Sequence, residues 1–577
     1  MKSRTSFFNL TAFRKNITRF APVWALYTVF LLLVLFAISD QESGYMARDV
    51  IMITRLAGMG NLLYAGVVAM CLFGDLYKTR LCCALHAFPV RREGWLLTNI
   101  ATGFLFSLVP NMIVCTLTSF LIGEYTFFIW NLFAVASLQY LFFFGTAVIG
   151  AVCAGNRLGM LAVYSIIHFV VVLIYFLAEV IYQPLIYGIA LQTEKFFRYF
   201  PLARMYTEYI KTEFHYGEPI FREYATEAWT HLAICAAVGV VSFLLAWLVY
   251  RRRHLERAGD FIALRPVAPV FLIIYTIAVG AVFYSFSELI NQPSYVVYAA
   301  GIAIGFFTGQ MLLNRTVRVF DKKSWLAFGL LAVVLSGSMV LTWLDPMGIG
   351  SYVPPLDKVE SAAIYGPDKV YVYHGLYQYN TFEMTDAEEI TKLQTFHEKL
   401  ADNRPTGSSN YDVNIRYKLT DGTEVNRYYR MDFHSPLAEE ANIWFSDPRY
   451  IFQVDDTDIL YDLFSAFNVD MHYYEDEDKD RTKPLFFQSK NPEELRGLLD
   501  AILADCAAGK MAQAWNFHRG EDSKYGIGFE LKNATLEESF EMYRFRSLSI
   551  YSDCTNTVAY LDKLFAQLPD DYNHQIG

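Results

Sequence analysis

Nine apolar stretches fall in the first 344 residues of this 577-residue chain. Each is near the ~20 residues a helix needs to cross a hydrocarbon core. They run approximately over 21–39, 56–74, 98–121, 127–150, 158–182, 229–250, 267–289, 295–313 and 324–344, and none carries an interior Lys or Arg. In lipid, each backbone N–H and C=O must be satisfied within its own segment, so runs of this kind are restricted to helices. The expected fold is a polytopic α-helical membrane protein. A cleaved leader is not expected, because the first apolar run starts late, is long and has no A-x-A site behind it.

Charge divides the chain in two. Residues 1–344 carry a net +9 and residues 345–577 a net −19. Of the 26 Lys and Arg in the first part, 19 fall in segments that share one side if the amino end is cytoplasmic. By the positive-inside rule the amino end is therefore cytoplasmic and the carboxyl tail extracytoplasmic. Before the first span, Phe7, Leu10, Phe13, Ile17 and Phe20 recur at helical spacing among basic residues. Residues 1–20 are read as an amphipathic helix lying on the inner leaflet, with Arg14, Lys15 and Arg19 at the membrane surface. The exit of the sixth span, YRRRHLERAGD, puts Arg251, Arg252 and Arg253 in the same role, each attracted to anionic lipid by ~1 kcal/mol.

The segment 75–97, DLYKTRLCCALHAFPVRREGWLL, is short, basic and cytoplasmic in this topology. Cys82, Cys83, Ala84, Leu85, Ala87 and Phe88 give it an apolar face, and Pro89 ends the helix because it lacks an amide donor. Arg91, Arg92 and Glu93 follow at the mouth of the next span. This shape suits docking of a cytosolic partner, and it equally suits an ordinary membrane-surface loop.

Beyond Asp345 the apolar runs stop, and Pro346, Gly348, Gly350, Pro354 and Pro355 mark a linker over 345–356. Residues 357–577 read as an α+β domain. YDVNIRYKLTDGTEVNRYYRMDF alternates in period two around Thr420-Asp421-Gly422, a hairpin signal. Helices are expected at 386–402, 456–467, 492–509 and 555–567, with the order β-α-β-β-α occurring twice as two repeated lobes. The long loop 183–228 is expected to hold short interfacial helices.

The chain has no phosphate-binding loop: Gly509-Lys510 is followed by Met511 and lacks the leading glycine. It has no H-E-x-x-H or G-x-S-x-G motif and no Cys/His metal spacing, so no enzymatic role and no metal site is assigned. The acidic run 475–480 has the alternation of a calcium loop, but Arg481 and Phe487 stand where the glycine and the bidentate Glu belong. His168 and Glu179 are ionisable residues at membrane depth and are candidate pathway residues, though a structural role suits both better. Cys506 and Cys554 lie outside the spans and form a candidate disulfide, with two buried thiols as the alternative.

Four stretches carry a family resemblance: the amphipathic entry helix, "RF-APVWALY", "LHAFPVRREGWLLTN" and the "YRRRHLERAGD" exit. They resemble permease subunits of type-2 ABC exporters from Gram-positive bacteria, over residues 1–260 best. His86, Pro89, Arg91, Arg92 and Glu93 match the pattern H-S-L-P-[VI]-[KR]-R-E, with Ala87-Phe88 in place of Ser-Leu. The resemblance implies an elbow helix at 1–20, a six-helix core at 21–250, and docking of a separate ATPase through His86, Phe88, Pro89, Arg91, Arg92 and Glu93. ATP and magnesium would belong to that partner, with no cofactor in this chain. A homo- or heterodimer with a second permease, residence in the cell membrane and no nucleic-acid partner are implied as well. The three further spans at 251–344 and the outer domain resemble a subset of these permeases. The alternative, from another class, is a receptor or sensor whose acidic tail binds a ligand.

Overall fold

The computed structural model describes residues 8–38, 43–87, 91–189, 200–215, 218–290, 292, 294–372, 376–403, 410–432, 435–452, 454, 456–471, 486–512, 523–532 and 548–568. The acidic run 475–480 lies outside them. The chain divides into two compact units, one of Met1–Ile181 with Gln192–Gly337 and one of Tyr182–Leu191 with Ser338–Gly577.

The first unit is mostly helical. Helix α1 (Leu10–Arg19) begins at Asn9, whose side chain accepts the amide of Ala12, and meets α2 (Ala21–Ile38) at a bend of 57°. Then follow α3 (Ser43–Leu72), α4 (Thr79–Ala87), α5 (Arg92–Ile122), α6 (Thr126–Cys153) and α7 (Arg157–Phe176), which continues as a π-helical turn through Tyr182. After the short α8 (Pro201–Met205) come α9 (Thr226–Arg252), α10 (Val267–Leu289), α11 (Tyr295–Asn314) and α12 (Lys322–Leu344). Among the described residues, eight helices are long and apolar enough to cross a membrane, or nine if α1 and α2 count as one bent span.

Two expectations change. Helix α3 starts thirteen residues before the apolar run, so Arg48 and Arg55 ride on it, and Arg55 pairs with Glu208. The loop 183–228 holds a hairpin, β1 (Ile210–His215) with β2 (Glu218–Tyr224), in place of interfacial helices alone. Helix α6 is the most buried span. Glycines let it approach α9 closely: a Cβ on Gly145 would strike the backbone of Gly239. Small residues give this backbone proximity where the hydrophobic effect does not drive helices together.

The second unit contains two lobes with one topology. The first has β3 (Val359–Val372), β4 (Leu376–Met384), α13 (Ala387–Asp402), β5 (Asn410–Leu419), β6 (Glu424–Asp432) and α14 (Pro436–Phe445), then α15 (Pro448–Phe452). The second follows α16 (Leu460–Leu463) with β7 (Phe464–Met471), β8 (Phe486–Ser489), α17 (Pro492–Ala507), β9 (Ser523–Leu531), β10 (Leu548–Tyr551) and α18 (Thr555–Phe565). The antiparallel strand orders are β4-β3-β5-β6 and β8-β7-β9-β10, so each lobe is β-β-α-β-β-α. The expected β-α-β-β-α lacks one strand; in the second lobe the helix expected at 456–467 is helical only through Leu463, and its last four residues begin β7.

Both lobes fold for legible reasons. Asp386 caps α13 through the amides of Glu388 and Glu389, and Asn491 caps α17. The first core packs Phe396, Tyr417, Tyr429 and Phe445; the second packs Phe467, Leu499, Ile527 and Leu561. Buried Asp505 accepts the amides of Asn556 and Thr557 at 3.1 and 2.7 Å and so starts α18.

Cys506 and Cys554 are free, buried thiols and do not form the candidate disulfide. The Cys554 sulfur is turned to the carbonyl of Lys510 at 3.3 Å and to Met511 Sδ at 3.5 Å.

Candidate partner-docking face

The segment 75–97 is not a free loop. Helix α3 ends in a 3-10 turn, Gly74–Tyr77, that buries Leu76 and Tyr77. Asp75 in that turn accepts both arms of the Arg19 guanidinium, at 2.9 and 3.0 Å. The paired geometry fixes α1 against the turn, as a planar fork on a carboxylate does. Two further bonds tie α1 to α5: the amide of Asn9 donates to Thr98 Oγ1 at 3.1 Å, and Asn16 Nδ2 donates to Asn99 Oδ1 at 2.8 Å. Arg14, Lys15 and Arg19 are all exposed.

Arg253 is the centre of this end of the unit and is not a surface anchor. It is only 2% exposed. Helix α9 stops at Arg252, and Arg253 takes an extended conformation that turns it inward. Its guanidinium donates to the carbonyls of Ala151 and Val152 at 3.2 and 2.9 Å, in the last turn of α6, and to that of Leu76 at 3.2 Å. A cation at a helix C-terminus meets the negative end of the dipole and the carbonyls left without intrahelical donors. One side chain thus joins α6, α9 and the start of the 75–97 segment. Arg251 and Arg252 remain exposed, in keeping with a surface role.

The exit after α9 is knitted in by backbone. Ala154 bridges to Ile262, the amide of Ala263 donates to Cys153 at 2.8 Å, and the amide of Gly259 donates to Gly155 at 2.7 Å. Any Cβ on Gly155 or Gly159 would collide with the backbone of 260 or 261. Thr79 Oγ1, at the start of α4, donates to the carbonyl of Ala258 at 3.1 Å.

On this support α4 presents a partly apolar surface. Cys82 is buried, while Leu81, Cys83 and Ala84 are exposed. Arg91 and Arg92 are exposed at the start of α5. Glu93 is half-buried in the first turn, where the dipole favours a carboxylate, and pairs with Arg251 of its own chain at 3.5 Å. The side chain of His86 and residues Phe88 and Pro89 lie outside the described residues.

The candidate pathway residues do not form one site. His168 is buried between α6 and α7, its Nε2 2.9 Å from Thr146 Oγ1, among the rings of Phe142, Phe143 and Tyr164. Glu179 lies on the π-helical turn, about 16 Å farther along the axis at 1.5 Å per residue. Among the described residues, no group of three His, Cys, Asp or Glu side chains is placed to hold a metal ion. Sequence reasoning missed the inward role of Arg253 and the Arg19–Asp75 pair. A triple-arginine run reads as uniformly exposed, and nothing local marks the residue at which the helix ends.

Comparison with family models, curated proteins and solved structures returned no match.

Proposed function

We propose that this chain is the transmembrane permease subunit of an ABC exporter, energised by a separate ATP-binding subunit that docks on the face built around residues 75–97. The observation that carries the reading is mechanical. Closure of a partner can move helices only through a contact that does not yield, and here the segment is tied to α1 through Asp75, to α6 and α9 through Arg253, and to the exit loop through Thr79. The family resemblance supports the same reading, in which ATP is bound by the partner and not by this chain. In this reading the amino end and the docking face are cytoplasmic, the two-lobed domain is extracytoplasmic, and the permease dimerises in the cell membrane.

The exposed arginines supply the test. Arg91→Glu combined with Arg92→Glu places like charges against an acidic partner surface, a penalty of several kcal/mol at a buried contact. Residues 1–20 and 251–266 still fix the orientation, so insertion survives. The measurement is pull-down of an ATP-binding subunit co-expressed with this chain, with its ATPase rate in membranes at matched expression. The expected result is loss of both association and stimulated turnover. Normal association and turnover in the double variant would return the segment to a plain surface loop.

A further inference from the structure

Four helices of the first unit, α2, α3, α5 and α6, enclose a cavity of about 370 Å³. This lies within the range of small-molecule sites. Its walls are apolar, and no Lys, Arg, Asp, Glu or His lines it. Two carboxamides do, Asn61 from α3 and Asn111 from α5, only 3% and 6% exposed.

Both amides are oriented from behind. Asn61 Nδ2 spends its two N–H groups on α6, donating to the carbonyl of Ala136 at 3.1 Å and to Gln139 Oε1 at 3.2 Å. Gln139 is held in turn, its Nε2 donating to Tyr209 Oη at 3.3 Å. The atom of Asn61 left for the cavity is therefore the acceptor Oδ1, and among the described residues no donor meets it. Asn111 has the opposite balance. Its Oδ1 accepts the Tyr27 hydroxyl at 3.2 Å and its Nδ2 gives one N–H to Ser107 Oγ at 3.1 Å, so the second N–H has no acceptor among the described residues. At hydrocarbon depth an unmet acceptor and an unmet donor are costly.

We infer that this cavity is a binding site for a neutral, single-chain amphiphile whose hydroxyl hydrogen-bonds Asn61 and Asn111 while its aliphatic chain fills the apolar remainder. A hydroxyl both donates and accepts, which matches the two unmet groups. With no charged side chain in the lining, an anionic or cationic head would go uncompensated. A bare alkane would fill the volume and leave both amides unsatisfied.

The site needs no ATPase partner, so its test is separate from that of the proposed function. The full chain is reconstituted in phosphatidylcholine nanodiscs and photolabelled with a long-chain alcohol carrying a diazirine on its chain, and labelled peptides are mapped by mass spectrometry. Labelling is expected on the cavity-lining parts of α3 and α5. An unlabelled long-chain alcohol should compete about tenfold better than the alkane of equal length, as one well-made buried hydrogen bond gives. Gly60→Leu narrows the cavity while leaving both amides in place, since Gly60 lines it and a Cβ there meets no atom within 4 Å beyond its chain neighbours, and it should abolish cavity labelling. Asn61→Leu should make alcohol and alkane equivalent. Should that variant fail to fold, Gly60→Leu and the wild-type competition decide. Equal competition by alcohol and alkane in the wild type, or labelling that survives Gly60→Leu, would show a crevice filled by ordinary bilayer lipid and overturn the assignment.

Discussion

His397 Nε2 lies 2.7 Å from the phenolic oxygen of Tyr429, in the core of the first lobe. Tyr429 donates its own proton to the carbonyl of Gly350 at 2.9 Å, so the imidazole must be the donor to Tyr429. The other ring nitrogen, Nδ1, then accepts from the Tyr417 hydroxyl at 3.1 Å. The relay Tyr417, His397, Tyr429, Gly350 runs in one direction and requires a neutral imidazole with its proton on Nε2. The Tyr187 ring packs edge-on against Tyr429, and its hydroxyl shares its one proton between the carbonyls of Arg430 at 2.7 Å and Asn403 at 3.1 Å. The relay thus anchors two chain segments, the one that follows α7 and the one that follows α12, to the same sheet.

Burial, reinforced by the nearby Arg427 cation, lowers the His397 pKa to about 4. The unfolded chain binds the proton near 6.5, so between those values it holds more protons than the folded one, and stability rises with pH. The contribution is fully present above pH 6.5 and is lost as pH falls toward 4, about 2 kcal/mol of it by pH 5 at 1.36 kcal/mol per unit. Melting of the purified chain at pH 7 and pH 5 should show this loss, and His397→Gln, which stays neutral, should flatten the slope relative to wild type. Parallel slopes for the two proteins would remove His397 from the acid response.

Arg253 and Arg251 are separated by one residue and should behave differently. Arg253→Ala leaves three carbonyls without their charged donor in a buried site, a loss of about 3 kcal/mol. Arg251 is exposed and its pair with Glu93 spans 3.5 Å, so Arg251→Ala should cost less than about 1 kcal/mol. Thermal inactivation midpoints in detergent would report the difference. Equal effects would mean that the Arg253 clasp contributes nothing.

The two thiols of the second lobe should be unreactive until it unfolds. Burial pushes the Cys554 thiol up to about 12 and raises Cys506 further, so neither forms thiolate at neutral pH. Maleimide should label both only in denaturant, and reductant should leave the melting temperature unchanged. A cross-linked Cys506–Cys554 peptide in the native protein would contradict this.

Much of the architecture was legible because long apolar runs admit one backbone solution in lipid, and because the 410–432 alternation flanks a turn that Gly422 makes with φ of +80°. Strand β7 was misread for a physical reason. A bulge between Phe464 and Ala466 shifts its alternation, so that Leu460, Phe464 and Phe467 fall at i, i+4 and i+7 and imitate a helix. In the candidate docking face, the exposed arginines were readable as residue types. The clasp of Arg253 was not, because it depends on where α9 ends and on carbonyls about a hundred and a hundred and eighty residues away.

Topology is open to a direct measurement, since two positions should report opposite sides. The basic residues are concentrated in the segments before α2, between α3 and α5, after α9 and after α11, and the positive-inside rule puts all of these in the cytoplasm. With the amino end inside, an odd number of crossings places the second unit outside, which requires that α2, bent 57° from α1, itself cross. Cys83 is exposed on α4 and serves as the natural inner reporter, whereas Cys82 is buried and silent in either topology. Asn410→Cys at the start of β5 supplies the outer reporter. In intact cells a membrane-impermeant maleimide should label the position-410 cysteine and spare Cys83, and lysis should expose Cys83. Labelling of Cys83 in intact cells would invert the chain. Protection of both positions until lysis would mean that one of the seven helices between them, α5, α6, α7 or α9–α12, does not cross and that the second unit is cytoplasmic.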